Sequence, residues 1–182
     1  MNLFPTSAGR SRFLAVALCL LQGFSWSCVF PTTTGPGAQG SRQVSSLPDF
    51  SLMTLAGETI SSQDYDQKIL VVNFWATWCT PCVYEIPHLN DLYRDFRSKG
   101  VEILGISMDS GDPEEVRRFI RRHRMKYPVV AGAPSLGDDF GGVRAIPTTF
   151  IVNQQGAIVK RYDGFRPSYM KETRRTIEEL LG

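Results

Sequence analysis

The run ILVVNFWA, Ile69 to Ala76, narrows the possible folds more than any other stretch of the chain. It is a continuous apolar segment rich in β-branched residues, as befits a strand buried on both faces. A second run of the same kind, VEILGISMD, spans Val101 to Asp109. Between the two, Ile86, Leu89, Tyr93 and Phe96 recur at three- and four-residue spacing, which predicts a helix that reaches Lys99 and ends at Gly100. A further helix is expected over Pro113 to Arg122, with acids in its first turn and arginines in its last, an order that suits the helix dipole. YPVVAG and TTFIVN read as strands, NQQG as a turn, and AIVKRYDG as a strand paired back on its neighbour. Ser168 to Leu181 closes the chain as a helix with Met170, Thr173, Ile177 and Leu180 on one stripe. Strands alternating with helices give an α/β fold, a central sheet covered on both faces and made mixed by the closing hairpin. Upstream, FSLMTL and AGETI add an N-terminal β-hairpin turned at Gly57.

The first residues are of another character. Arg10 and Arg12 precede the apolar run Phe13 to Phe24, and the small residues Ser25 and Ser27 stand before Cys28, the layout of an export segment. The run is short for a hydrocarbon layer roughly 30 Å thick. Cleavage, lipid attachment at Cys28 and retention as an uncleaved anchor are all open to it, and each carries the domain out of the cytoplasm, to a periplasm or the outer face of the cytoplasmic membrane. VFPTTTGPGAQGSRQVSS is rich in Pro, Gly, Thr and Ser and reads as a flexible tether. Residues 1–27 are thus a signal or anchor, 28–46 a linker and 47–182 the folded domain. The whole chain carries 20 basic against 18 acidic residues, and residues 1–27 hold two of the basic and none of the acidic, so the remainder is neutral. A neutral domain lacks the electrostatic footprint of a nucleic-acid partner. Its one basic cluster, RRFIRRHRMK, puts Arg117, Arg118, Arg121 and Arg122 largely on one side of a helix, a solvated face in which Glu114 is expected to pair with Arg118 at i,i+4.

Cys79 and Cys82 stand just beyond the first buried strand, at the N-terminus of the helix that follows, with Pro81 suited to its first turn. Unpaired backbone N–H groups and the helix dipole there stabilise a thiolate at Cys79. Cys82, three residues on, can close a disulfide onto Cys79 and release a mixed disulfide formed there, which is what thiol-disulfide exchange requires. Two plainer readings fit less well. A zinc site needs four ligands, yet beyond this pair and Cys28 the remainder of the chain offers only His88 and His123. A structural bridge closing so short a loop would stabilise the chain little, because the gain grows with loop length.

The stretch FWATWCTPC, with Pro87 in the following helix and IPTTFIV from Ile146 to Val152, resembles the thioredoxin-like proteins, and within them the exported TlpA/ResA/CcmG branch, over Leu47 to the C-terminus. The resemblance implies a thioredoxin fold and a thiol-disulfide oxidoreductase that needs no cofactor and no metal. It also implies a cis proline at Pro147 beside the active-site disulfide, a substrate-binding surface made by Trp78, Thr80, Pro81, Ile146 and Pro147, and a packing role for Trp75. Where cytoplasmic thioredoxins carry an acid two residues before the Trp of the first buried strand, this chain has Asn73. Glu85, one helical turn after Cys82 in the ResA-like pattern CVYEIP, is the expected replacement, a partly buried carboxylate whose pKa desolvation raises. Copper chaperones of the related Sco type space their cysteines by three residues and require a distant His, so His88 is not expected to serve a copper site. No Pro-x-x-x-Thr-x-x-Cys arrangement surrounds Cys79, which argues against a peroxiredoxin-type peroxidase. The implied partners are oxidised client proteins such as apocytochrome c and a membrane thiol donor of the CcdA/DsbD kind, with the chain as reductant. The alternatives are a disulfide oxidant or isomerase, and a redox-inactive or metal-carrying binding module on the same scaffold.

Overall fold

The structure, a computed structural model, describes residues 44–182. The expected export segment, Cys28 and most of the tether lie outside the described residues.

The two buried runs become β3 (Ile69–Trp75) and β4 (Val101–Ser107), which follow the small hairpin strands β1 (Ser51–Met53) and β2 (Thr59–Ser61). β3 pairs parallel with β4 and antiparallel with β6 (Thr148–Val152), so it is the central strand of a mixed sheet ordered β5-β4-β3-β6-β7, with β5 at Val129–Val130 and β7 at Ile158–Asp163. Every side chain of β3 is buried, which is why its sequence shows no alternation. The YPVVAG strand is shorter than expected, reduced to the two residues that pair with Gly105 and Ile106. β1 and β2 pair only with each other, as the Gly57 turn implied.

The two faces of the sheet are covered differently. Ile69, Val71 and Trp75 face the helices α1 (Thr80–Phe96), α2 (Pro113–His123) and α4 (Pro167–Leu181), whose Ile86, Leu89, Val116, Met170 and Ile177 complete that core. Leu70, Val72 and Phe74 face Phe50, Tyr65, Leu136 and Phe140, which come from the N-terminal stretch and from the single-turn helix α3 (Leu136–Asp139) with the residue that follows it. No periodicity announced α3, because one turn is too short to show any. Each of these side chains contributes about 1.5–3 kcal/mol when fully buried, so both layers are needed to hold β3 in place.

Details at the helix ends correct two expectations. α1 gives way to a tight 3-10 turn over Arg97–Lys99 before Gly100, at φ 85°, stops it. On α2, Glu114 does not pair with Arg118; it pairs with Arg117 (3.0 Å) and Arg121 (4.0 Å), while Arg118 reaches Glu115 (3.9 Å). Arg117 also turns inward to donate to the Leu55 carbonyl, so the basic face serves in part to anchor the N-terminal hairpin. Ser45 and Ser46, placed in the tether by composition, are tied to the β6–β7 hairpin: Ser46 bridges Ala157, and Ile158 N donates to Ser45 O at 2.9 Å.

Candidate active site

β3 delivers the chain to the site. After Trp75 the loop is pinned by Asp109 at the end of β4, whose carboxylate accepts from Thr77 N (3.0 Å), Thr77 Oγ1 (2.7 Å) and Ser107 Oγ (2.7 Å). Met108 N donates to Trp75 O at 2.8 Å, which prolongs the pairing of the two segments. Cys79 is then the N-cap of α1, in extended conformation, with Thr80 and Pro81 opening the helix. Pro81 suits this place because its missing N–H would have had no partner. Cys79 Sγ accepts from Cys82 N at 3.2 Å, so a helix N–H points at that sulfur, an arrangement that favours a thiolate there.

Cys79 and Cys82 are joined by a disulfide, with Cα atoms 5.3 Å apart. Cys79 is 5% exposed and Cys82 1%, so Cys79 is the less deeply buried residue of the pair. Trp78 beside it is 71% exposed, and Tyr84 one turn into α1 is 62% exposed, so large apolar surface is presented around the start of α1. Trp75, by contrast, is buried and stacks on Phe119 at 5.0 Å. The Ile146–Pro147 bond is cis. Thr148 pairs with Phe74, which sets Pro147 at the end of the sheet where β3 gives way to the cysteine loop, and Ile146 packs against the core cluster that contains both cysteines.

Beneath the disulfide lies a buried carboxylate. Glu85, at i+3 from Cys82 and so on the same helix face with Cβ atoms roughly 5–6 Å apart, is 1% exposed, fully rather than partly buried. It has two partners. Asn73 Nδ2 donates to Oε2 at 2.8 Å and Thr149 Oγ1 to Oε1 at 2.9 Å, and Asn73 Nδ2 also donates to Thr149 Oγ1 at 3.0 Å. Burial pushes the Glu85 carboxyl up to about 7, the hydrogen bonds from Thr149 and Asn73 pulling the other way. Tyr127 nearby is held well above the ordinary tyrosine range, by burial first and by the charge of Glu85 second, so its phenol stays neutral.

Register explains how these groups meet. Asn73 is paired with Thr149 on β6 and with Gly105 on β4, so the three form a row across the face that α1 covers. A Cβ on Gly105 would stand 3.1 Å from both Trp75 Nε1 and Tyr127 Cε2, so the absence of a side chain there lets both rings close over the row. Sequence reasoning named Glu85 but saw Asn73 only as a missing acid, and it passed over Thr149 and Asp109. The polar Asn73 in an otherwise apolar run was the signal available, since a buried amide needs a partner.

Comparison with known proteins agrees with this geometry. The AhpC/TSA family model matches residues 45–161. The thiol-disulfide oxidoreductase ResA of Halalkalibacterium halodurans is 37% identical over 68% of this chain and 70% of its own length. ResA of Bacillus subtilis is 32% identical over 85% and 83% respectively. The crystal structure of a thiol:disulfide interchange protein of the thioredoxin family from Chlorobium tepidum TLS superposes with a TM-score of 0.68 at 30% identity, covering 76% of this chain and 97% of that one. A mixed sheet of thioredoxin type, a cysteine pair capping the helix after its central strand and relatives of this closeness lead to one conclusion: the chain belongs to the thioredoxin-like AhpC/TSA family, as a thiol-disulfide oxidoreductase of ResA type.

Proposed function

We propose that the chain is an exported reductant of client-protein disulfides, with Cys79 as the attacking thiol, Cys82 as the resolving thiol and Glu85 as the proton acceptor for Cys82. The observation that carries this reading is the buried Glu85, held by Asn73 and Thr149 one turn behind Cys82. The Cys79 thiolate attacks one sulfur of the client disulfide and expels the other as a thiolate. Glu85 then takes the Cys82 proton, and the Cys82 thiolate attacks Cys79 Sγ and expels the second client sulfur. One client thiolate recovers the Glu85 proton and the other takes one from solvent. The client gains two electrons, and this chain is left with the Cys79–Cys82 disulfide.

Each turnover therefore needs a fresh electron pair, and the donor we propose is a membrane thiol protein of the CcdA/DsbD kind. Exposed Trp78 and Tyr84 suit a protein client, and the class we propose is one with a surface disulfide, such as an apocytochrome c. Export rests on Arg10, Arg12 and the apolar run after them, with Cys28 as a lipid attachment point in one version of the tether.

Two measurements test the proposal. Cys82→Ser should accumulate a mixed disulfide through Cys79, because nothing remains to resolve it; a trap formed instead by Cys79→Ser reverses the roles. Equilibration against a dithiothreitol or glutathione series should give a midpoint near that of thioredoxin, about −270 mV. The chain has no charged residue between the cysteines to hold the thiolate as strongly as an oxidant requires. A midpoint above about −180 mV assigns it to the oxidants and isomerases and ends the reductant reading.

A further inference from the structure

The hydrogen bonds around Glu85 all suit its charged form. Asn73 presents only N–H groups to this corner, one to Glu85 Oε2 and one to Thr149 Oγ1, and Thr149 offers its own proton to Oε1. A protonated Glu85 has a hydroxyl that must find an acceptor, and the Asn73 amide nitrogen has no lone pair to give. A threonine hydroxyl can both donate and accept, and it changes from one to the other by rotating about a single bond. Asn73 could offer its Oδ1 only by turning the whole amide and giving up both of its present bonds, so Thr149 is the partner that serves both states of the carboxyl with the least rearrangement.

We propose that Thr149 is the positioning residue for proton transfer at this site, with its hydroxyl donating to ionised Glu85 and turning to accept from Glu85 once the Cys82 proton has arrived, while Asn73 holds its oxygen in place. The proposal rests on the reading of Glu85 as the proton acceptor. The proton that leaves Cys82 sits on Glu85 until a client thiolate takes it; Thr149 exchanges no proton with either group and only reverses the sense of its bond to the carboxyl. The strand register makes this arrangement rigid, because Thr149 and Asn73 are direct partners on adjacent strands and both side chains are buried beneath α1. The titratable groups around Glu85 are Cys79 at the N-cap and Cys82 in the first turn of α1, Tyr127 from the segment before β5, and Tyr162 of β7, the register partner of Thr149. β3, β4 and β6 present Asn73, Gly105 and Thr149, none of which titrates.

The test is the pH profile of the resolving step, the release of a reporter thiol from the mixed disulfide at Cys79, in the full chain. Thr149→Val keeps the β-branched shape and removes the hydroxyl. The bond to the charged carboxylate is stronger than the one to the neutral acid, so losing both should move the Glu85 limb of the profile upward by about one pH unit. Thr149→Ser should restore it to within a few tenths. A merely structural threonine would lower the unfolding midpoint in the valine variant without moving the limb. Thr149→Ala, which removes the hydroxyl and leaves space, gives a second reading should valine prevent folding. The infrared carbonyl band of protonated Glu85, identified by its loss in Glu85→Gln, should shift in both hydroxyl-free variants. An unmoved limb in them, or an equal shift in the serine variant, overturns the role of Thr149. Glu85→Gln separates this failure from that of the underlying reading: if the limb vanishes in that variant while Thr149→Val leaves it in place, only Thr149 falls, and if the limb survives in Glu85→Gln, both fall.

Discussion

Glu85 puts a proton-binding site inside the fold, and that site has a thermodynamic signature apart from any catalysis. Its ordinary value is 4.5, and in the folded protein burial raises it to about 7. Between those values the native state holds a proton that the unfolded chain has released, so stability falls as pH rises. The contribution is complete below about pH 4.5 and is lost as the pH passes through about 7; a gap of this size corresponds to about 3 kcal/mol. Glu85→Gln cannot titrate, so the difference between its stability and that of the parent should change by this order from pH 4.5 to pH 8. Urea unfolding of both oxidised proteins across that range checks it, since the other titrating groups are common to both, and parallel curves would refute the buried-acid account. The sequence pointed to Glu85 through its spacing from Cys82, a local relation within one helix. Its partnership with Thr149 was not legible, because it spans 64 residues and depends on a register that no local pattern encodes.

At the level of elements, the position of the cysteines depends on how the β3–α1 loop is tied to β4. Asp109 is the tie: it receives Thr77 N, Thr77 Oγ1 and Ser107 Oγ, and its removal would leave Thr77 without these partners. Asp109→Ala should therefore cost about 1–3 kcal/mol in stability and slow exchange, the loop no longer presenting Cys79 in one geometry. Asp109→Asn, which keeps an acceptor, should recover part of both. Thermal unfolding alongside the rate of reduction of a model disulfide distinguishes this from a purely structural aspartate, whose loss would lower the unfolding midpoint and leave the rate unchanged. The main elements themselves were legible: the apolar runs of β3 and β4 and the periodic stripes of α1 and α4 carry their own signals. What the sequence did not reveal were the short pieces, α3 and the cut-back β5, and the choice of Arg117 rather than Arg118 as partner for Glu114, which the docking of Arg117 on the Leu55 carbonyl explains.

The molecule as a whole depends on its N-terminal stretch more than its helices suggest. Residues 45–61 cross from one edge of the sheet to the other, starting where Ser46 bridges Ala157 beside β7 and reaching Thr54, which bridges Val130 on β5. Leu55 N donates to Val129 O at 2.8 Å, so the exposed edge of β5 is partly capped. In crossing, the stretch lays Phe50 on the even-numbered side chains of β3, with Leu47, Leu52 and Ile60 packed around it. No long helix covers that face among the described residues, so removing the stretch would expose Leu70, Val72 and Phe74 together. A chain of residues 44–182 keeps the whole of this stretch and is the reference against which its removal is measured. One lacking residues 1–61 loses Phe50 and its neighbours, each worth about 1.5–3 kcal/mol when buried, a total that approaches the stability of an ordinary domain. That shorter chain should fail to show a cooperative thermal transition and should bind a hydrophobic dye, whereas Phe50→Ala alone should lower the midpoint and retain cooperativity. A cooperative transition in the shorter chain would mean that Tyr65, α3 and Phe140 suffice to cover this face, and that residues 45–61 are an appendage rather than part of the second layer of the fold.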